Sequence, residues 1–339
     1  MPGVSACWHC LAQRLHYQHK LAGYIASQTG TYPVPTYQSP ISADSIRANL
    51  ELMQFAHHIN GEVANHTLQD QIVSIDLQTQ KQQRHTVVKR PQCSACGTPV
   101  SERLPISFQK RQVASERGGG LRATRASETL AQYQHHLSPI TGLVPALTPI
   151  VGGEGGHVYQ AGHVRALAYR SWSSLRRAFR FNASGKGIDP TQAQMSALGE
   201  ALERYSARFF GDEPYRMATY EELGEDAIHP STLVHFSQRQ IEMREMYNAQ
   251  VEVNMVPERP FDETAPIAWT KVWSLSYEKW KWIPTQLCYL GSPPEDTPFY
   301  LGNSNGNAAG SSPEDAFLQG LLEVIERDSF ARVQSGKDG

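Results

Sequence analysis

Glu200-Ala-Leu-Glu203-Arg204 and Glu323-Val-Ile-Glu326-Arg327 are two copies of one acid signature, and each follows an approach rich in Gly, Ser and Asn. The first approach reads Asn182-Ala-Ser184-Gly185-Lys186-Gly187, with Ser196-Ala-Leu-Gly199 leading into the acids. The second reads Asn303-Ser-Asn-Gly306-Asn-Ala-Ala-Gly310, followed by Asp315 and Gln319. On a helix, residues three and four apart are neighbours, so each Glu pair shares a face and each Arg meets the first Glu. Carboxylates in such number suit a hard cation such as Mg2+, which takes a few carboxylates together with substrate phosphates. Arginines suit the phosphates.

A single Glu-x-x-Glu-Arg reads as a solvated face with a weak salt bridge. The repetition favours a site. Placed at 100° per residue, the first helix carries Leu198, Leu202, Tyr205 and Phe209 on one stripe, with Ser196, Glu200, Glu203 and Ala207 opposite. The second carries a wide apolar arc of Phe317, Leu318, Leu321, Leu322, Val324 and Ile325, leaving Asp315, Gln319, Glu323 and Glu326 on a narrow polar stripe. An arc that wide predicts a mostly buried helix, and buried carboxylates need a partner such as a cation.

The chain of 339 residues is long enough for two domains, and its net charge of -2 argues against bulk binding of nucleic acid. No apolar run approaches a membrane span and no signal peptide opens the chain, which predicts a cytoplasmic protein. A local basic cluster, Arg165, Arg170, Arg176, Arg177 and Arg180, reads either as a solvated strand edge or as a contact for phosphate or an acidic peptide. Cys7-Trp-His-Cys10 and Cys93-Ser-Ala-Cys96-Gly97 leave only Cys288 over. In a reducing compartment, two Cys-x-x-Cys pairs favour a tetrahedral zinc site over redox or disulfide use. Four thiolates close the coordination sphere, so the Zn2+ is expected to be structural. Gly97 fits the tight turn of a metal knuckle. Cys288 reads as a small buried hydrophobe in a strand-like run.

Helices are predicted from Leu11 to Ser27 and from Ser42 or Asp44 to about His58, followed by strands at Gln71 to Leu77 and Thr86 to Lys89. Residues from about Val100 to Arg125 read as a polar linker, and Ser127 as the cap of a helix over Glu128 to His136. Gly152-Gly-Glu-Gly-Gly156 lacks the ending of a Walker loop and reads as a hairpin loop. Val158 to Tyr169 is an expected strand. Ile267 to Leu275 and Trp280 to Leu290 are an expected hairpin around Tyr277-Glu-Lys279, with Trp269, Trp273, Trp280 and Trp282 packing sheet faces.

At Ser184-Gly-Lys-Gly187, Ser196 to Tyr205, Ser304 to Gly310 and Glu323 to Asp328 the chain resembles the YcaO family, ATP-dependent enzymes that activate peptide backbone amides. The cysteine module resembles the tail of the E1-like partner domain often fused to YcaO in synthetases of thiazole/oxazole-modified peptides, including microcin-type bacteriocins. The resemblance implies an α+β protein: a zinc-tetrathiolate E1-like module over residues 1–104, a linker and capping helix over 105–139, and a YcaO-type α/β domain with pseudo-repeated sheet-and-helix halves over 140–339. It implies cyclodehydration, in which a Cys, Ser or Thr side chain attacks the preceding amide, ATP phosphorylates the resulting oxygen, and elimination gives an azoline. Carried over, Glu200, Glu203, Glu323 and Glu326 hold Mg2+, Arg204 and Arg327 orient carboxylates or meet phosphate, and Ser196 contacts nucleotide. Ser184 and Lys186 lie near the phosphate path, and Asp315, where the family usually has Glu, joins Gln319 in the nucleotide set. Expected partners are a precursor peptide and a leader-peptide-binding protein, with a homodimer left open and no nucleic acid or membrane. The chain begins close to Cys7 and ends soon after Phe330, where the family continues toward segments implicated in catalysis, so a partial domain is expected. Two other readings stay open: a scaffold that binds zinc and nucleotide without chemistry, and a YcaO enzyme making thioamides or amidines.

Overall fold

The computed structural model describes residues 5–31, 33, 41–59, 70–76, 78–98, 104–114, 122–153, 155–162, 172, 182–250, 256–257, 259–296, 299–300 and 302–335. The chain divides into two compact units, one of residues 1–98, 116–120 and 125–201, the other of 99–115, 121–124 and 202–339.

The first unit opens with α1 (Trp8–Gln18) and α2 (Lys20–Thr29). The single helix expected there is broken at His19, whose ψ of 65° leaves the helical region. Helix α3 spans Ile41–Ile59. Strands β1 (Gln71–Ile75) and β2 (Gln82–Thr86) then pair antiparallel, Gln71 opposite Thr86. The second strand begins earlier than Thr86 because the turn is shorter than its polarity suggested. Asp76 closes it by accepting from the N–H groups of Gln78 and Thr79 at 2.9 and 3.2 Å. This hairpin is tied to the turn after α4 (Ala126–Tyr133) by a buried polar chain. Ser74 Oγ lies 2.8 Å from His85 Nε2, and His85 Nδ1 lies 2.9 Å from Ser138 Oγ. Ser127 is inside α4 rather than its cap. Arg125 holds the cap position, and Glu128 reaches back to its N–H at 3.4 Å.

Strands β3 (Leu147–Val151), β4 (His157–Gly162) and β5 (Asn182–Gly187) form an antiparallel sheet in that order. The glycine-rich segment expected as a hairpin loop joins β3 to β4. The strand expected to Tyr169 is described only to Gly162, and the basic cluster Arg165 to Arg180 lies outside the described residues. Helix α5 (Pro190–Ser206) follows. Its buried face is the small-residue row Ala193, Ala197 and Ala201, with Leu198; Leu202 and Tyr205 are half-buried, and Phe209 lies past the helix end. The small row lets β5 approach closely. A Cβ on Gly185 would stand 2.0 Å from the Ala197 nitrogen and 2.4 Å from the Ala193 oxygen, so only glycine fits there.

In the second unit β6 (Arg216–Ala218) leads through α6 (Tyr220–Leu223), α7 (Gln238–Glu242) and α8 (Arg244–Gln250) to β7 (Ile267–Ser274) and β8 (Lys279–Pro284). These strands form an antiparallel sheet, β6-β7-β8. Its core gathers Ala218, Leu223, Ile267, Trp269, Phe299 and Tyr300. Trp269 is fully buried and donates its indole N–H to the Ala218 carbonyl at 2.9 Å. Trp273 and Trp280 sit opposite in the ladder with ring centroids 5.5 Å apart, in the expected packing role. The strand expected to Leu290 stops at Pro284, and residues 285–288 turn into the short helix α9 (Thr285–Cys288). Cys288 is therefore a half-buried helix residue, not a buried strand one.

Helix α10 (Pro313–Ser335) closes the described chain. Ser312 caps it, accepting from the Asp315 N–H at 3.2 Å. The expected burial of its apolar arc is not what the structure shows. Phe317, Leu321, Leu322, Val324 and Ile325 are 44 to 53% exposed, because the buried contacts of α10 come from its first two turns, at Asp315 and Gly320.

Candidate functional site

The two Cys-x-x-Cys elements meet in the first unit. Cys7 immediately precedes α1 and Cys10 lies in its first turn, while Cys93 and Cys96 lie on the turns after β2. Cys7 Sγ is 3.5 Å from Cys93 Sγ, Cys10 Sγ is 3.5 Å from Cys96 Sγ, and all four lie within 4.8 Å of one another. A tetrahedral zinc with bonds of about 2.3 Å sets its sulfurs about 3.8 Å apart, so adjustments of about an ångström or less seat the ion. All four cysteines are free of disulfides. The Arg90 N–H points at Cys10 Sγ at 3.5 Å. Gly97 is required by the turn, since its Cβ would stand 2.1 Å from the Pro91 oxygen. Burial disfavours charge on these sulfurs, yet N–H groups of Ala95 and Cys96, with the Cys7 and Cys10 side chains, bring Cys93 down to about 6. Burial and the three neighbouring sulfurs push Cys96 up to about 12. Four thiolates this close repel one another, and a divalent cation removes that conflict. The donor set fits zinc.

The acid signatures occupy the expected helices. In the first unit Glu200 of α5 accepts from the Ser184 N–H of β5 at 2.7 Å. In the second unit Glu323 of α10 accepts from the Gly306 N–H at 2.9 Å. Each approach therefore gives a backbone N–H to the first Glu of its own signature, which is the sequence repeat expressed as geometry. A second tie runs between the copies inside the second unit, where Glu203, near the end of α5, accepts from the Ala309 N–H at 3.3 Å. Glu203 and Glu323 thus hold the same short loop. Among the described residues, only the four cysteines form a group of three or more His, Cys, Asp or Glu side chains close enough to share one ion.

The remaining candidates are distributed around this frame. Arg327 donates to Glu323 Oε1 at 3.2 Å, the expected i,i+4 contact. Glu326, Ser184, Lys186 and Ser196 are exposed, while Arg204 and Gln319 are half-buried. Asp315 is buried and turned toward the loop side: its Oδ2 accepts from the Ala123 N–H at 3.0 Å and from the Ser311 hydroxyl. Next to it, Glu314 anchors the segment 104–114, accepting from the Gln109 N–H at 2.8 Å and from Arg111 Nε at 2.6 Å. The Gln109 N–H and its own backbone N–H, with Arg111 and Ser312 adding to them, hold Glu314 down at about 2. The sequence marked Ser184 and the stretch holding Gly306 and Ala309, but not that their backbone N–H groups are what the carboxylates meet.

Residues 184–338 match the YcaO cyclodehydratase family, described as ATP- and Mg2+-binding. Over 95% of its length the chain is similar to a heterocyclase solved in complex with substrate and cofactor, at 35% identity and a TM-score of 0.82, covering 45% of that chain. Over 97% of its length it is similar to the heterocyclase TruD, at 31% identity and a TM-score of 0.67, covering 42% of that chain. An uncharacterized protein of Methanothermobacter thermautotrophicus is 29% identical over 219 residues, 63% of this chain and 48% of that protein. The chain thus spans under half the length of each of these relatives. Fold and sequence agree on the same stretch: the YcaO family match takes in both acid helices and the loop they hold.

Proposed function

We propose that this chain supplies a large part of the nucleotide site of an ATP-dependent cyclodehydratase that forms azolines from Cys, Ser or Thr in a ribosomally made precursor peptide. The observation that carries the reading is the grip of Glu203 and Glu323, one from each acid helix, on the loop holding Gly306 and Ala309. Likeness to heterocyclases at 35% and 31% identity supports the reaction class. Carboxylates beside N–H donors match what a magnesium triphosphate requires, oxygen ligands for the cation and donors for the phosphates. ATP supplies the phosphoryl group that turns a poor leaving oxygen into a good one.

The chain's own residues then position and neutralise charge. Glu200, Glu203, Glu323 and Glu326 would hold Mg2+. Arg204 and Arg327 would orient those carboxylates or meet phosphate. Ser184 and Lys186 would line the phosphate path, with Ser196, Asp315 and Gln319 in the nucleotide set. In the reaction the peptide side chain adds to the preceding amide carbon and closes the ring, the former amide oxygen, phosphorylated, leaves as phosphate, and loss of the nitrogen proton forms the C=N bond, a net loss of water from the peptide. Residues 1–104 would form an E1-like module stapled by structural Zn2+ at Cys7, Cys10, Cys93 and Cys96, joined through 105–139 to the YcaO part over 140–339. The expected setting is the cytoplasm, with the precursor peptide and a leader-binding protein as partners. Among the described residues no helix is long and apolar enough to cross a membrane.

A scaffold that binds without catalysis is the second reading. It is favoured by the share of the related heterocyclases that this chain spans, under half of each. Calorimetry with Mg-ATP, followed by mass analysis of a precursor peptide incubated with this chain and the remainder of a heterocyclase, separates the two. Loss of one water per modified residue supports the enzyme; nucleotide binding with an unchanged peptide supports the scaffold; no nucleotide binding removes both.

A further inference from the structure

We infer, resting on the proposed nucleotide site, that Glu203 and Glu323 act as a carboxylate latch that occupies the phosphate donors of the Gly306–Gly310 loop until magnesium draws the carboxylates away. Both oxygens of Glu323 are already engaged inside the chain. Oε2 takes the Gly306 N–H at 2.9 Å and Oε1 takes Arg327 at 3.2 Å. Glu203 Oε2 takes the Ala309 N–H at 3.3 Å. The loop between these donors is bent by Gly306, whose φ of +82° turns the backbone in the left-handed region. The turn presents the Gly306 and Ala309 N–H groups to anions while the Asn307 N–H is bonded back to the Ser304 carbonyl at 3.0 Å, and the anions that take those two donors here are the side chains expected to ligate the metal.

A carboxylate oxygen that ligates a cation gives up charge density and becomes a weaker acceptor for an amide N–H. Ligation therefore favours passing the Gly306 and Ala309 N–H groups to the next available anion, the phosphates of the nucleotide. Metal and phosphate binding become coupled through one exchange of partners. A triphosphate arriving without metal meets both occupied donors and two negative charges. The same latch keeps the unliganded loop ordered.

The test uses the full chain and inorganic triphosphate without metal, measured by calorimetry on the parent protein and on the Glu203→Gln, Glu323→Gln double variant. The neutral amides remove the repulsion and weaken the latch. Metal-free triphosphate is expected to bind the variant about tenfold tighter or more, the scale of one hydrogen bond to a charged group. A misfolded variant would bind more weakly, so a gain is specific. Independently, Mg2+ with a non-hydrolysable ATP analogue is expected to shift the amide resonances of Gly306 and Ala309 in the parent protein. If the parent binds the magnesium nucleotide while those resonances stay fixed and the variant gains nothing, the latch is wrong and the nucleotide site stands. If no nucleotide binds, site and latch fall together.

Discussion

Stripping metal from the cysteine cluster is expected to unfold the module around it while leaving the β6-β7-β8 sheet intact. The apolar core there is small. Besides the cysteines it holds Val87, with Ala6, Leu11 and Ile72 partly buried against it. Fully burying a Val, Leu or Ile gives roughly 1.5–3 kcal/mol, and Leu11 and Ile72 are only half-buried, so these side chains together contribute only several kcal/mol. Ordering the backbone costs about 1–2 kcal/mol per residue, which that core cannot offset across the turns carrying the cysteines. A structural zinc contributes about 10–16 kcal/mol of apparent binding energy. A zinc held by the four cysteines is therefore expected to decide whether the module folds. The assay is limited proteolysis of the full chain before and after a strong chelator, with metal counted by native mass spectrometry. Cleavage within residues 5–98 is expected to accelerate by orders of magnitude, with β7 and β8 still protected, and Cys10→Ser should reproduce it without chelator. Equal cleavage of metal-loaded and stripped protein, or a purified protein holding no zinc, would refute the reasoning.

Gly185→Ala should destabilise by about 2–3 kcal/mol, because the new Cβ meets helix backbone at 2.0 Å. Gly199→Ala on the same α5, whose Cβ meets only the Met195 methyl at 3.8 Å, should stabilise by about 0.5–1 kcal/mol; thermal unfolding of the pair reads both signs. Trp269→Ala should cost about 3–5 kcal/mol through cavity formation and the orphaned Ala218 carbonyl, measured by denaturant unfolding. Glu314 has its carboxyl lowered from 4.5 to about 2 in the fold. Its contribution is therefore complete above about pH 4.5 and disappears as the pH falls toward 2. Protection of the Gln109 amide against hydrogen exchange, taken relative to its intrinsic rate at each pH, should fall as the pH drops through that window and lose its pH step in Glu314→Gln.

The acid signatures and the paired cysteines were legible because each is a local pattern with a fixed chemical meaning. The same holds for Gly97, read as the tight turn of a metal knuckle, where a Cβ would stand 2.1 Å from the Pro91 oxygen. What local pattern could not decide was tertiary competition. Tyr205 and Phe209 promised an apolar stripe on α5, but the sheet chose the alanine row, because close backbone approach selects small residues over large ones. Trp282 and Leu290 lie in one apolar run, yet Pro284 interrupts the ladder and the chain turns into α9. The Leu11 to Ser27 pattern is continuous in polarity, and nothing in it announces the break at His19. The exchange of backbone N–H groups with Glu200, Glu203 and Glu323 lay beyond reach for another reason: amide donors have no letter in a sequence.

Helix α10 has two unlike halves. Its first turns are fastened by Ser312, Glu314 and Asp315, whereas beyond Gly320 the helix exposes Leu321, Leu322, Val324, Ile325 and Phe330. Along that second half the helix is tied to the loop by Glu323, which accepts from the Gly306 N–H at 2.9 Å, and carries the pairs Glu323–Arg327 and Asp328–Arg332, worth only tenths of a kcal/mol each. On warming, its C-terminal turns should fray well before the core melts, so the reach of Glu326 and Arg327 depends on whatever stiffens that outer stretch.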